Sequence, residues 1–198
     1  MKIKLLLMSL VLGSVANAVE LDQYKLLNHL DSYGNVHLRQ THYTALPEGF
    51  TVKGNLNIAK TKIEKLPKGL DVQGSLDASN SAVSFVARGT KIKGYANFLG
   101  AQIKSWNPTV KVGGYLNFTD NPLESLPAGL VVEGDLSVIR TPLTELPSPL
   151  TVKGNLYLGG SQITALPEQL TVEGNIYLGG NIITSWPQDL TLGGAVAR

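Results

Sequence analysis

From Gly34 onward the apolar positions of this chain recur every twenty residues, and internal repetition of that kind decides the architecture before any single motif does. Glycine stands at Gly34, Gly54, Gly74, Gly94, Gly114, Gly134, Gly154, Gly174 and Gly194 without one insertion. Two residues before it lie Val52, Val72, Ile92, Val112, Val132, Val152, Val172 and Leu192. Two and four residues after it come pairs such as Leu56 and Ile58, Leu116 and Phe118, or Leu156 and Leu158. A further column holds Ile63, Val83, Ile103, Leu123, Leu143, Ile163 and Ile183. Three residues on stand Leu66, Val86, Trp106, Leu126, Leu146, Leu166 and Trp186, mostly followed by proline; Ala87 and Asn107 break that rule.

The consensus V-x-G-x-L-x-L alternates with period two and predicts a strand with one buried face. Proline lacks an N–H and ends a ladder, so Pro67 or Pro167 closes the segment that follows. Spacings of three then return Ile63, Leu66 and Leu70 to the interior. Twenty residues make one coil that cannot bury its apolar face alone, so the coils must stack. The expected fold is a mainly β repeat solenoid over residues 34–198, about nine coils with one parallel sheet. Each glycine is expected where positive φ or a close backbone approach excludes a Cβ.

The ends differ from the middle. Within residues 19–33, Leu21, Tyr24, Leu27 and Leu30 fall at helical spacing and predict an N-terminal capping helix over the first coil. After Leu192 and Val196 no polar capping segment follows. An exposed coil edge is a template for pairing, which suggests a weak homodimer through the C-terminal coil. Residues 1–18 read as a secretory signal peptide. Lys2 and Lys4 precede an apolar run, and Ala16-Asn17-Ala18 forms the cleavage site. The run is shorter than the ~20 residues that span a bilayer, so no membrane span is expected in the mature chain and the protein should be exported, periplasmic or secreted.

Composition narrows the function classes. Cleavage after Ala18 would leave 180 of the 198 residues, room for one domain. With Lys2 and Lys4 removed, 15 basic residues face 15 acidic ones, which argues against nucleic acid as a partner. There is no cysteine, so disulfides, thiolate metal sites and a cysteine nucleophile are excluded. Phosphate-cradling, nucleophile-elbow and calcium-repeat motifs are absent as well.

The repeat resembles the short, twenty-residue, Leu-Pro leucine-rich repeats of bacterial secreted effector proteins. L-x-L in the strand (Leu56 and Ile58; Leu156 and Leu158) and I-x-x-L-P after it (Ile163, Leu166, Pro167) carry the likeness. The resemblance spans about residues 32–198 and implies a leucine-rich-repeat-like solenoid that binds through its exposed sheet face. Two departures stand out. The family's turn asparagine occurs only at Asn121 and Asn181, and V-x-G precedes L-x-L. A curved horseshoe and a straighter rod both stay open. The ubiquitin-ligase activity of some members needs a separate cysteine-dependent domain, for which this chain has neither the length nor the cysteine.

Outward strand positions form three columns. The first runs Lys53, Gln73, Lys93, Gly113, Glu133, Lys153, Glu173; the next two hold four of the seven tyrosines. Tyr95, Tyr115, Tyr157 and Tyr177, with Asn97, Asn117, Asp135 and Asn155, are the candidate ligand-binding residues. Amphipathic rings among amides and a carboxylate suit a protein, peptide or glycan, and equally stabilise stacked strands as a ladder. Glu133, Lys153 and Glu173 predict a cross-strand charge ladder. Glu133 and Asp135, two residues apart on one strand, are a remote acid/base pair. His29, His37 and His42 have no metal-ligand spacing and read as surface histidines; no catalytic residue, metal or cofactor is assigned. The expected function is a non-enzymatic binding module, with a structural, self-associating solenoid of the cell envelope as the alternative. N-terminal sequencing of the exported protein should start at Val19; an exported form retaining Met1 would contradict the leader.

Overall fold

A computed structural model describes residues 21–198, and the expected leader lies outside the described residues, as do the first two residues of the expected cap. The twenty-residue repeat forms a parallel β-solenoid. Nine two-residue strands, from Val36–His37 through Leu56–Asn57 and Leu116–Asn117 to Val196–Ala197, stack in one parallel sheet. Eight complete turns separate them. The register is one repeat throughout, with Leu56 opposite Leu76 and Leu116 opposite Leu136. Residues one repeat apart therefore stack on one another, which is why the apolar columns of the sequence become columns of the core.

The sheet is not alone. The chain bends at each glycine corner, so the valine of V-x-G and the L-x-L pair occupy different faces rather than one continuous strand. Thr51–Val52, Asp71–Val72, Lys91–Ile92 and Lys111–Val112 form a second, lateral parallel sheet. Leu130–Val132, Leu150–Val152, Leu170–Val172 and Thr191–Leu192 form a third, in line with it but not joined to it. A two-stranded ladder, Lys65–Leu66 with Phe85–Val86, lies on the remaining side. The expectation of one sheet is corrected on this point: a pure period-two reading cannot see a corner inside V-x-G-x-L.

The corner explains the glycine column. Gly74 N–H donates to the Gly54 carbonyl, and Gly154 to that of Gly134, at 2.9 and 3.0 Å. A Cβ on Gly154 would lie 2.7 Å from the Asp135 nitrogen and against its Oδ1. Close approach, not positive φ, excludes a side chain at these positions; Gly34, with φ +80°, is the exception. Left-handed backbone falls mainly in two other columns, one of them Gly49, Gly69, Gly89 and Gly129. In the other, Gln40, Lys60, Asn80, Asp120 and Arg140 adopt φ between 53° and 61°, and Gly100 and Gly160 continue the series.

A buried polar column replaces most of the expected turn asparagines. Hydroxyls of Thr61, Ser81 and Thr141 donate to the carbonyls of Ile58, Ala78 and Val138 at 2.7, 2.6 and 2.9 Å. Asn121 bonds the carbonyls of Phe98 and Phe118 and accepts from the Ile103 amide. No buried side-chain nitrogen or oxygen lacks a partner among the described residues.

At the N-terminus the helix is short, Gln23–Leu27, with the Asp22 carboxylate accepting from the Tyr24 and Lys25 amides. Leu21 is buried and Leu26 packs against the core, but Tyr24 is 85% exposed and Leu27 66%. Five residues make little more than one turn, too few to lay four apolar residues along one face; Leu21 and Leu26 make the contact.

Glycine replacements should separate close approach from strain. Gly154→Val should cost about 1–3 kcal/mol or more in denaturant unfolding, the range of overpacking. Gly114→Val should cost less, because the nearest atom to its Cβ is 3.1 Å away. Equal losses at the two positions would contradict the corner geometry.

Candidate functional site

Beyond the glycine corner, two outward columns cover the nine-stranded sheet. In the first, short polar side chains reach along the solenoid to the next coil. Asn35 Oδ1 accepts from the Asn55 amide and Asn55 Oδ1 from the Ser75 amide, both at 2.7 Å. Ser75 Oγ accepts more weakly from Tyr95 N–H at 3.3 Å. Asp135, Asn155 and Asn175 resume the same service to the amides of Asn155, Asn175 and Ala195 at 2.7–2.8 Å. Tyr95 and Tyr115 interrupt this ladder, since a phenol cannot fold back onto the next amide. Their rings stack instead, centroids 4.4 Å apart and planes within 6°.

The second column behaves likewise. Asn57, Asp77, Asn97 and Asn117 each accept from the amide two residues on, at 2.9–3.2 Å. Asn117 Nδ2 donates to Asn97 Oδ1 at 3.0 Å. Past Ser137 the column changes to Tyr157 and Tyr177, stacked at 4.8 Å and 4°. Of the eight candidate residues, Asn97, Asn117, Asp135 and Asn155 thus spend polar groups on the solenoid itself. The tyrosines are left facing outward.

Five polar or aromatic side chains meet in one hollow. Tyr115, Asn117, Asp135, Ser137 and Tyr157, over Leu116 and Ile139, line a space of about 300 Å³. Tyr95 covers one face of Tyr115, and Tyr177 one face of Tyr157. Tyr115 stands in the column of Asp135 and Tyr157 in that of Ser137, so the coil between the two rings contributes one polar side chain in line with each. Along the stack these rings are two coils apart, ~10 Å at the usual strand spacing. Asn97, Asn155, Tyr95 and Tyr177 do not line it; Tyr95 instead borders a smaller hollow of about 200 Å³ with Asn55 and Asp77.

Burial, then the neighbouring Tyr95, pushes the Tyr115 phenol up to about 12. Burial and the Asp135 charge raise Tyr157 as well. Both hydroxyls are neutral near pH 7 and can donate or accept.

Other expectations resolve differently. Lys153 Nζ lies 2.7 Å from Glu133, the first rung of the charge ladder. Glu133 and Asp135, however, sit on opposite sides of the Gly134 corner. Glu133 lines a lateral groove and Asp135 the sheet-face hollow, so they share no site. The bend likewise carries the column from Lys53 to Glu173 off the sheet face. His37 Nε2 approaches Asp31 Oδ2 at 3.0 Å and, with Asn35, holds that carboxyl below the usual range. His42 stacks on Tyr43 at 4.8 Å. Among the described residues no group of three His, Asp or Glu could hold a metal, and no helix is long and apolar enough to cross a membrane. At the C-terminal end, Ile182 and Trp186 of the eighth coil and Val196 of the ninth are exposed.

The lateral groove was not legible as a site. It opens between Lys111–Val112 and Leu130–Val132, where the second and third sheets fail to join, with a volume of about 720 Å³. Two sequence signals mark it: proline comes one residue late, at Pro108, and Gly113 stands in a column of long polar residues. In comparisons with known proteins, no family model matches the chain, and no curated protein and no solved structure matches it.

A spectrophotometric titration at 295 nm tests the stacked pair. Tyr115→Phe should remove a transition near pH 12. The folded state disfavours the Tyr115 phenolate, so stability should fall as pH rises from the ordinary value near 10 towards 12. An unchanged titration above pH 11 in the variant would contradict the burial of this phenol.

Proposed function

We propose that this chain is an exported, non-enzymatic binding protein of the short bacterial leucine-rich-repeat type, and that it holds a glycan on the exposed face of its nine-stranded sheet. The observation that supports this reading is the pair of uncovered tyrosine faces, Tyr115 and Tyr157, on either side of Asp135 and Ser137. A sugar ring offers apolar C–H faces to stack on aromatic rings and hydroxyls at its rim for hydrogen bonds. Asp135 presents a second carboxylate oxygen, because Oδ1 alone receives both bonds from Asn155. Ser137 and the Tyr157 hydroxyl add groups that donate and accept.

Specificity would come from the polar floor and affinity from the rings. Stacking Tyr95 behind Tyr115 and Tyr177 behind Tyr157 restrains each platform before the ligand arrives, which lowers the ordering cost of binding. Repetition of polar and aromatic columns along the sheet lets an extended chain of sugars lie across several coils.

The test is calorimetric titration with soluble oligosaccharides, the β-linked tetramers of N-acetylglucosamine and of glucose and soluble peptidoglycan fragments. At least one should bind, and the double variant Tyr115→Ala, Tyr157→Ala should bind at least tenfold more weakly. Its stability should stay within about 1–2 kcal/mol of the parent, as expected for partly exposed positions. Absence of binding across the panel, or full binding by a folded double variant, would overturn the reading.

A further inference from the structure

The interruption between the second and third sheets has the hydrogen-bond pattern of a missing strand. Elsewhere on this side, each coil donates two amides to the coil before it. Lys91 and Lys93 N–H bond the carbonyls of Leu70 and Val72 at 2.8 and 2.9 Å. Lys111 and Gly113 N–H bond those of Thr90 and Ile92 at 3.1 and 2.9 Å. By the same register Val131 and Glu133 N–H should bond the carbonyls of Val110 and Val112. Among the described residues neither bond forms, and these four groups have no other partner. Two carbonyls therefore stand on one wall of the groove and two amides on the other.

We propose that the groove is a strand-addition site for an extended, acidic peptide lying parallel to its walls. Such a strand donates its amides to Val110 and Val112 and accepts from Val131 and Glu133, restoring one rung on each side. An extended peptide that completes an open sheet edge gains its main-chain hydrogen bonds in this way and its specificity from alternate side chains.

The walls state what those side chains are. Val112 and Leu130 are only partly buried at this break, whereas Val72, Val152, Leu70 and Leu150 in other coils are buried. Val131 is 51% exposed beside them. Every second residue of the inserted strand meets this apolar floor. Outward stand Lys91, Lys93 and Lys111, none of which forms an ion pair among the described residues; of the two carboxylates on the lining, Glu133 is held by Lys153 and Asp71 accepts from Gln73, which leaves three lysines against two acids. The alternate residues of the peptide are therefore acidic. At about 720 Å³ the groove is within the ~300–1,000 Å³ of ordinary ligand sites. This site lies around the Gly134 corner from the tyrosine hollow, so the two readings stand or fall separately.

The experiment uses the purified protein and three synthetic hexapeptides, blocked at both ends: alternating Val-Glu, alternating Val-Lys, and Val-Glu with every second amide N-methylated. Val-Glu should bind at least tenfold more tightly than Val-Lys, and N-methylation should weaken it at least tenfold. Bound Val-Glu should slow hydrogen exchange at the Val131 and Glu133 amides. The exposed-site variant Lys91→Glu, Lys93→Glu, Lys111→Glu should reverse the preference to Val-Lys. Equal affinity for the two charged peptides, indifference to N-methylation, no binding at all, or protection at other strand edges instead would each overturn the proposal.

Discussion

Among the described residues, six of the eight steps from one coil to the next are held by a glycine-to-glycine backbone bond at a corner too tight for a Cβ. The Gly-to-Gly bonds of 2.9–3.0 Å set the coils at a fixed spacing, and the twenty-residue register follows from them. Once that spacing is imposed, each residue stacks on its counterpart one repeat away. Leucine columns become core, asparagine columns become side-chain-to-backbone ladders, and tyrosine pairs become stacks. A coil of twenty residues has too little interior to fold alone, so its stability belongs to the array.

Regularity gives way around one coil, and both candidate sites border it. The N–H groups of Gly54, Gly74, Gly94, Gly154, Gly174 and Gly194 donate the corner bond, but among the described residues those of Gly114 and Gly134 do not. Tyr95 and Tyr115 occupy the column whose shorter members cap the amides of the following coil, so the amides of Tyr115 and Asp135 lose that support. Inside the same coils, Phe98, Trp106 and Phe118 pack edge-to-face and stacked at 5.1–5.9 Å. In the same column Trp106 gives way to Leu126 where the lateral sheets part. The same coils thus carry stacked aromatic rings on both sides of the backbone. The tyrosine hollow and the lateral groove are the two surfaces of that disturbance.

The repeat, its period and its core were legible because stacking writes the same residue type at every twentieth position. The corner was less so. Period-two alternation runs unbroken through Val152, Gly154, Leu156 and Leu158, although the backbone turns between Lys153 and Asn155. That is why Glu133 and Asp135 look like neighbours on one face and are not. The polar ladder was hidden by its chemistry, since Asn35, Ser75 and Asp135 do one job with three different side chains. The capping helix was over-read, because apolar spacing at Tyr24, Leu27 and Leu30 says nothing of how few residues stay helical. The groove is lined by a proline displaced to Pro108 and by Gly113, differences between coils that a consensus averages away.

Residue-resolved amide hydrogen exchange tests most directly the claim that one lateral rung is missing while its neighbours are intact. Lys91, Lys93, Thr151 and Lys153 occupy the same two columns as Val131 and Glu133. The Val131 and Glu133 amides should exchange markedly faster than all four once each is corrected for its intrinsic rate. Equal protection along both columns would mean that the lateral sheet is continuous in solution, and would contradict the missing rung.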